Sequence, residues 1–261
     1  MDLSYILILF AIGFVGSFIS GLVGIGGAII NFPLLLYIPI VLGFEGFTAQ
    51  EVSSITAVQV FFATLLAILV LRKSGYIHKS LVIYMGSAIV LGSFIGGFGS
   101  KFLSGSTINI IYGLLAFVAA VMMFLPKKNK EHKDINSISF HKGVASFIAV
   151  FIGIASGIVG AAGAFITVPV MLLILKIPTR IAIASSLVIT FLSSFGTTTG
   201  KLLAGHVLWT PTIIIVIAST IASPIGALIS KKLNTRALQW VLSFLIGATA
   251  IKIGIDIFLN L

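Results

Sequence analysis

Ten apolar runs follow one another along the chain with almost no charge inside them: residues 3–20, 25–43, 52–71, 80–100 and 106–125, then 143–158, 163–177, 182–200, 208–230 and 237–259. A helix crossing the roughly 30 Å hydrocarbon core of a bilayer needs about 20 such residues. Asp, Glu, Lys and Arg make up only 8% of the 261 residues, too few to cover a water-facing surface. The solvent for this chain is therefore lipid. The expected fold is all-α, a polytopic membrane protein with roughly eight to ten membrane segments.

The remaining composition removes several functions. With no Cys there is no disulfide, thiol nucleophile, thiolate zinc site or iron–sulfur cluster. The four His, at 78, 132, 141 and 206, lack metal-ligand spacing, so neither a metal nor a cofactor is expected. The net charge of +10 has no polar domain from which to face a nucleic acid. The first run follows Asp2 without a basic n-region or a small-x-small cleavage site, and is expected to remain as a membrane segment. Paired carboxylates, a His-Glu-x-x-His helix and a Gly-x-Ser-x-Gly elbow are all missing, which makes an enzyme an unfavourable reading.

The two halves repeat. Residues 20–33 and 156–169 share 8 of 14 identities at an offset of 136, and residues 92–104 and 222–234 share 6 of 13 at an offset of 130. The pairs Ser53-Ser54 and Ser185-Ser186 match as well. These similarities divide the chain into a first membrane repeat (1–125), a charged cytoplasmic linker (126–142) and a second membrane repeat (143–261). Five segments per half place the start and end of each half on opposite sides, so the repeats are expected to be inverted. With the N-terminus outside, 13 of the 16 basic residues fall on the linker side, while Lys101, Lys201 and Lys252 fall on the other with Asp2, Glu45, Glu51 and Asp256. That bias fits a plasma-membrane protein with a cytoplasmic linker and both termini outside. Lys201 and His206 are thereby expected outside the membrane.

The strongest local signal is a pair of glycine-rich breaks, Gly21 to Gly27 and Gly157 to Gly163, each followed by a proline, Pro33 or Pro169. Backbone groups freed by a break inside lipid need protein, water or a ligand as partners. A helix restarting there points free N–H groups and its positive dipole end into the gap, a seat for an anion. Broken or re-entrant helices are thus expected at the repeat interface, facing one another near the midplane. The candidate substrate-binding residues are Gly24, Gly26, Gly27 and Asn31 of the first break, Gly160, Gly163 and Thr167 of the second, and Ser53, Ser54, Thr56, Gln59, Ser185, Ser186 and Thr190 on the segments that follow. Gly92, Gly96, Gly99 and Gly226 read instead as close helix-packing positions. No Asp or Glu lies in the middle of any run, whereas carriers of cations and protons usually keep an embedded carboxylate. A small anion is the expected ligand.

The two S-G-x-V-G-x-x-G-A…P breaks, the Ser-Ser pairs and the repeated Gly/Ser-x-Ile-Gly segment resemble the TauE/SafE family of sulfite-exporter-like membrane permeases, over essentially the whole chain. The second break departs from the fuller pattern, reading Gly160-Ala161-Ala162-Gly163 where the first reads Gly24-Ile25-Gly26-Gly27. The resemblance implies export of sulfite or an organosulfonate by alternating access. An anion channel, a permease for another small anion and a non-transport assembly factor are the competing readings. Lipid and a small anion are the partners implied.

Overall fold

The computed structural model describes residues 2–23, 28–71, 75–124, 138 and 140–230, together with the isolated positions 244 and 247. Among the described residues there are nine α-helices and no strand: α1 (Leu3–Val23), α2 (Ala28–Val41), α3 (Ala49–Leu71), α4 (Lys79–Gly99), α5 (Gly105–Phe124), α6 (Lys142–Val159), α7 (Ala164–Leu173), α8 (Thr179–Ala204) and α9 (Trp209–Ser230). Seven of these are long and apolar enough to cross a membrane. The other two, α2 with 14 residues and α7 with 10, reach only about 21 and 15 Å. Run 237–259 and most of the 126–142 linker lie outside the described residues.

Local chemistry explains where the helices stop and what they bond. Pro33 inside α2 has no N–H to give the carbonyl four residues back, and the Tyr112 hydroxyl of α5 donates to that carbonyl, Ile29 O, at 2.7 Å. The Phe32 and Tyr112 rings stack beside it, with centroids 4.4 Å apart. Run 163–177 ends four residues early. Pro178 disfavours helix just ahead of it, Lys176 takes φ +54°, and Leu175 N–H closes α7 by donating to Val170 O at 3.1 Å.

Two ends of the molecule can be told apart by their contacts. At one, the Tyr5 hydroxyl at the start of α1 donates to Glu45 O at 2.9 Å, and Gln50 at the start of α3 donates to Leu103 O beside α5 at 3.2 Å. At the other, the Ser146 hydroxyl of α6 donates to Tyr84 O of α4, and His78 N–H donates to the Ser185 hydroxyl of α8 at 2.9 Å. Hence α1, α3 and α5 leave from the Glu45 end, and α4, α6 and α8 from the Lys142 end. Helices α2 and α7 turn back: Asn31 of α2 lies against Gly16 of α1 while Phe44, beyond α2, stacks on Tyr5. The pair α1–α2 is therefore a helical hairpin whose return helix is too short to span.

Packing repeats across the halves. Helices α1 and α9 run side by side in the same direction, as do α6 and α4. A Cβ on Gly21 would overlap Ser223 O, and one on Gly157 would overlap Ser93 O, its repeat equivalent. Gly226 in turn meets Phe18 O, and Gly96 meets Ile154 O. The Ser93 hydroxyl donates to Ser193 O and the Ser223 hydroxyl to Ala63 O, each at 2.8 Å, one bond made twice with the halves exchanged. Backbones come this close only because glycine carries no side chain. Gly92, Gly96 and Gly226 are thus packing positions; Gly99 faces open space. Between these pairs α3 and α8 cross antiparallel, Thr198 donating to Ala57 O at 3.0 Å and Phe61 packing on Phe191 with centroids 5.2 Å apart. Large apolar side chains such as Leu91, Phe147 and Phe195 are exposed around the outside, as a surface facing lipid requires.

Candidate functional site

The second glycine break is a left-handed turn. Gly160 ends α6 at φ +81°, Ala161 N–H donates back to Ser156 O at 2.9 Å, and Ala162 and Gly163 follow at φ +51° and +72°. Gly163 has no side chain to cap α7, so it supplies no acceptor for the first-turn N–H groups. Thr167 closes its hydroxyl onto Gly163 O at 2.7 Å. The Cα of Gly160 sits on the backbone of α3, where a Cβ would overlap Ser53 O. The turn is therefore level with the start of α3, towards the Glu45 end. The expected midplane placement does not apply to it, because the 18 residues of α6 carry the chain about 27 Å before it turns.

Directly beside this turn lies a charge that was expected outside. Lys201 is 1% exposed, and its ammonium donates to Ser53 Oγ at 2.6 Å, Ser100 Oγ at 2.8 Å and Ile158 O at 2.7 Å. These partners come from the start of α3 and the ends of α4 and α6, gathered around the last turn of α8.

A second polar group surrounds Gly16 and Ser17 of α1. Asn31 packs on Gly16 with neither amide atom hydrogen-bonded, and Gln59 donates to Ser17 Oγ at 2.8 Å while its Oε1 has no partner. Both side chains are fully buried. Thr190 Oγ1 and Ser193 Oγ on α8 are likewise buried without a partner. Such orphans are uncommon in a settled interior.

The other candidates are placed as follows. Ser54 bonds Gln50 O at 2.9 Å, Thr56 bonds Val52 O at 2.9 Å and Ser186 bonds Ile183 O at 2.9 Å, each serving its own helix. Ser185 accepts from His78 at the Lys142 end, and the 16 residues between it and Lys201 span about 24 Å. The structure thus joins Ser53 to the Gly160–Gly163 turn and sets Asn31 and Gln59 against adjacent residues of α1, Gly16 and Ser17, while Ser185 lies at the opposite end. Gly24, Gly26 and Gly27 lie outside the described residues. Among the described residues no cluster of His, Cys, Asp and Glu suits a metal.

The sequence profile described as "Sulfite exporter TauE/SafE" matches residues 9–253. The chain belongs to the TauE/SafE family. It is similar to the "Probable membrane transporter protein YunE" of Bacillus subtilis, 28% identical over 95% of this chain and 98% of that one. It is also 26% identical to a "Probable membrane transporter protein" of Xylella fastidiosa over 93% of this chain and 90% of that one. No solved structure matches. As a TauE/SafE protein with seven apolar spans among its described helices, it is a multi-pass membrane transporter.

Sequence reasoning missed Lys201, Ser100 and Ser17. In the sequence Lys201 marks the end of run 182–200, yet α8 continues to Ala204 and turns that side chain inward. The available signal was an asymmetry in the repeat: at the offset of 132 that relates the Ser-Ser pairs, Lys201 faces Leu69.

Proposed function

We propose that this TauE/SafE protein exports a small sulfur oxyanion, sulfite or an organosulfonate, by alternating access across the plasma membrane. The observation that carries the reading is the makeup of the described buried polar set: hydroxyls, amides and one ammonium, Lys201, with no carboxylate among them. Such an interior favours a negative guest over a cation or proton.

Asn31, Gln59 and Thr190 are among the buried side chains with hydrogen-bonding capacity to spare. An amide can present either N–H or C=O to a given point, so Asn31 directly, and Gln59 after an exchange of its bond with Ser17, supply donors to an oxyanion. Each hydrogen bond to a charged group contributes about 1.5–3 kcal/mol, enough for a few to offset much of the ion's dehydration while leaving it able to depart. Complete burial of these groups favours a carrier that opens to one side at a time.

The parallel pairs α1–α9 and α4–α6, with the antiparallel α3–α8 crossing between them, support inverted halves that rock on one another. Among described residues Lys79, Lys142, Lys176 and Arg180 gather at the Lys142 end and Asp2, Glu45 and Glu51 at the other, which supports a cytoplasmic Lys142 end and an external N-terminus. Moving one negative charge outward across an inside-negative 100 mV releases about 2.3 kcal/mol, so export needs no coupling ion. Counterflow tests the reading: proteoliposomes loaded with unlabelled sulfite should transiently accumulate labelled sulfite from outside. A channel equilibrates the label without overshoot, and protein-free vesicles show no such uptake.

A further inference from the structure

The partners of Lys201 bear on the charge it carries. The Ser53 hydroxyl already donates to Gln50 O at 2.8 Å and the Ser100 hydroxyl to Gly97 O at 2.6 Å. Both Oγ atoms therefore face Nζ with lone pairs, and Ile158 O is an acceptor only. Three acceptors around one nitrogen match the three N–H donors of the ammonium form. Its described partners are all neutral. What stabilises it at rest is the convergence of the C-terminal ends of α4, α6 and α8, whose carbonyls carry partial negative charge. A buried cation held only by dipoles is poorly compensated. It lies within about one helical turn of the Glu45 end.

We infer that the Lys201 ammonium, with Ser53 Oγ and Ser100 Oγ around it, is a charged subsite for one anionic oxygen group of the substrate, such as a sulfite, sulfonate, carboxylate or nitrate group, distinct from the neutral Asn31 and Gln59 side chains. This rests on the reading of the protein as an anion carrier. When the Glu45 end opens, α4 and α6 separate from α8 and the Ile158 carbonyl leaves the ammonium. An oxygen of the anion takes its place and compensates the buried charge. When the end closes, the three protein acceptors reclaim the N–H groups and the anion is displaced. The same side chain is thus a latch in the closed state and a ligand in the open one. A purely structural latch would hold the helices together yet leave anion affinity unchanged.

The test is equilibrium binding to the purified full-length protein in detergent. Sodium sulfite, sulfoacetate, nitrate and formate are titrated separately at constant ionic strength, with wild type, Lys201→Met, Lys201→Arg and Ser100→Ala compared. Charged hydrogen bonds set the scale: Lys201→Met should weaken the bound anions by about tenfold or more, whereas Lys201→Arg should stay within several-fold of wild type. Ser100→Ala frees one N–H and should tighten binding. Wild type that binds none of the four anions, or Lys201→Met that binds as well as wild type, overturns the subsite. Should Lys201→Met fail to fold, Ser100→Ala decides, and unchanged affinity overturns the proposal. Binding of nitrate or formate without sulfite and sulfoacetate keeps the subsite and removes the sulfur-anion reading.

Discussion

The Nζ of Lys201 lies 2.6 Å from the Oγ of Ser53, a residue 148 positions earlier, so a charge in the second half of the chain rests on a hydroxyl of the first. Gly160 touches the backbone of that same serine. One turn of α3 is thereby tied to the ends of α6 and α8, and any motion between the halves must act on this contact.

Ala162 gives the first prediction. It holds φ +51° where its repeat equivalent in the first half is Gly26, and a non-glycine residue in this region is disfavoured by about 1–2 kcal/mol. Ala162→Gly should raise the detergent unfolding midpoint while preserving transport. Gly163→Val should do the reverse and abolish transport, because a Cβ at φ +72° would also press on Ile89. A lower midpoint for Ala162→Gly contradicts the assigned backbone.

Asn31 separates function from stability. Replacing a buried amide that has no partner with an apolar side chain of similar size removes an uncompensated polar group worth about 1–3 kcal/mol. Asn31→Leu should therefore unfold at a higher temperature than wild type yet transport at least about tenfold more slowly. Equal transport rates would remove Asn31 from the anion's path.

The second break and the two hairpins were legible in the sequence because glycines and prolines are costly in lipid unless the backbone turns there, and nine apolar runs became helices with ends shifted by a few residues. Lys201 was not legible. Hydropathy treats any lysine at the edge of an apolar run as a boundary, and only the three-dimensional convergence of three helix ends shows that this one points inward. Ser54, Thr56 and Ser186 bond their own helices, the commoner fate of a single Ser or Thr in a helix, although their clustering at matched repeat positions points to a site.

The glycine seams predict a sharp contrast. Gly226→Val would push a side chain into Phe18 O and should destabilise by about 1–3 kcal/mol or more. Gly99→Ala meets nothing within 4 Å and should be neutral or stabilising by up to about 1 kcal/mol. Thermal unfolding of the two variants in one detergent checks both.

His78 makes the Lys142 end sensitive to acid. Partial burial lowers its pKa from the ordinary 6.5, and its Nδ1 accepts the Leu81 N–H as the cap of α4 at 3.3 Å. A lowered folded pKa means that the neutral form stabilises the fold above about pH 6.5 and that this contribution is lost as pH falls through the folded value. Wild type should lose stability below pH 6.5, and His78→Asn, which keeps a capping oxygen, should lose less. Parallel pH profiles from His78→Asn and wild type would contradict this.

Orientation can be read chemically, since the chain has no Cys. In intact cells a membrane-impermeant maleimide should label Glu45→Cys and leave Lys79→Cys unlabelled. The opposite pattern inverts the topology.

The most direct test of outward transport of a small sulfur oxyanion is sulfite efflux from proteoliposomes under a potential set by valinomycin and potassium. An inside-negative potential should speed efflux and an inside-positive one should slow it, with the difference absent in protein-free vesicles. Efflux no faster than from protein-free vesicles at either potential would contradict the account.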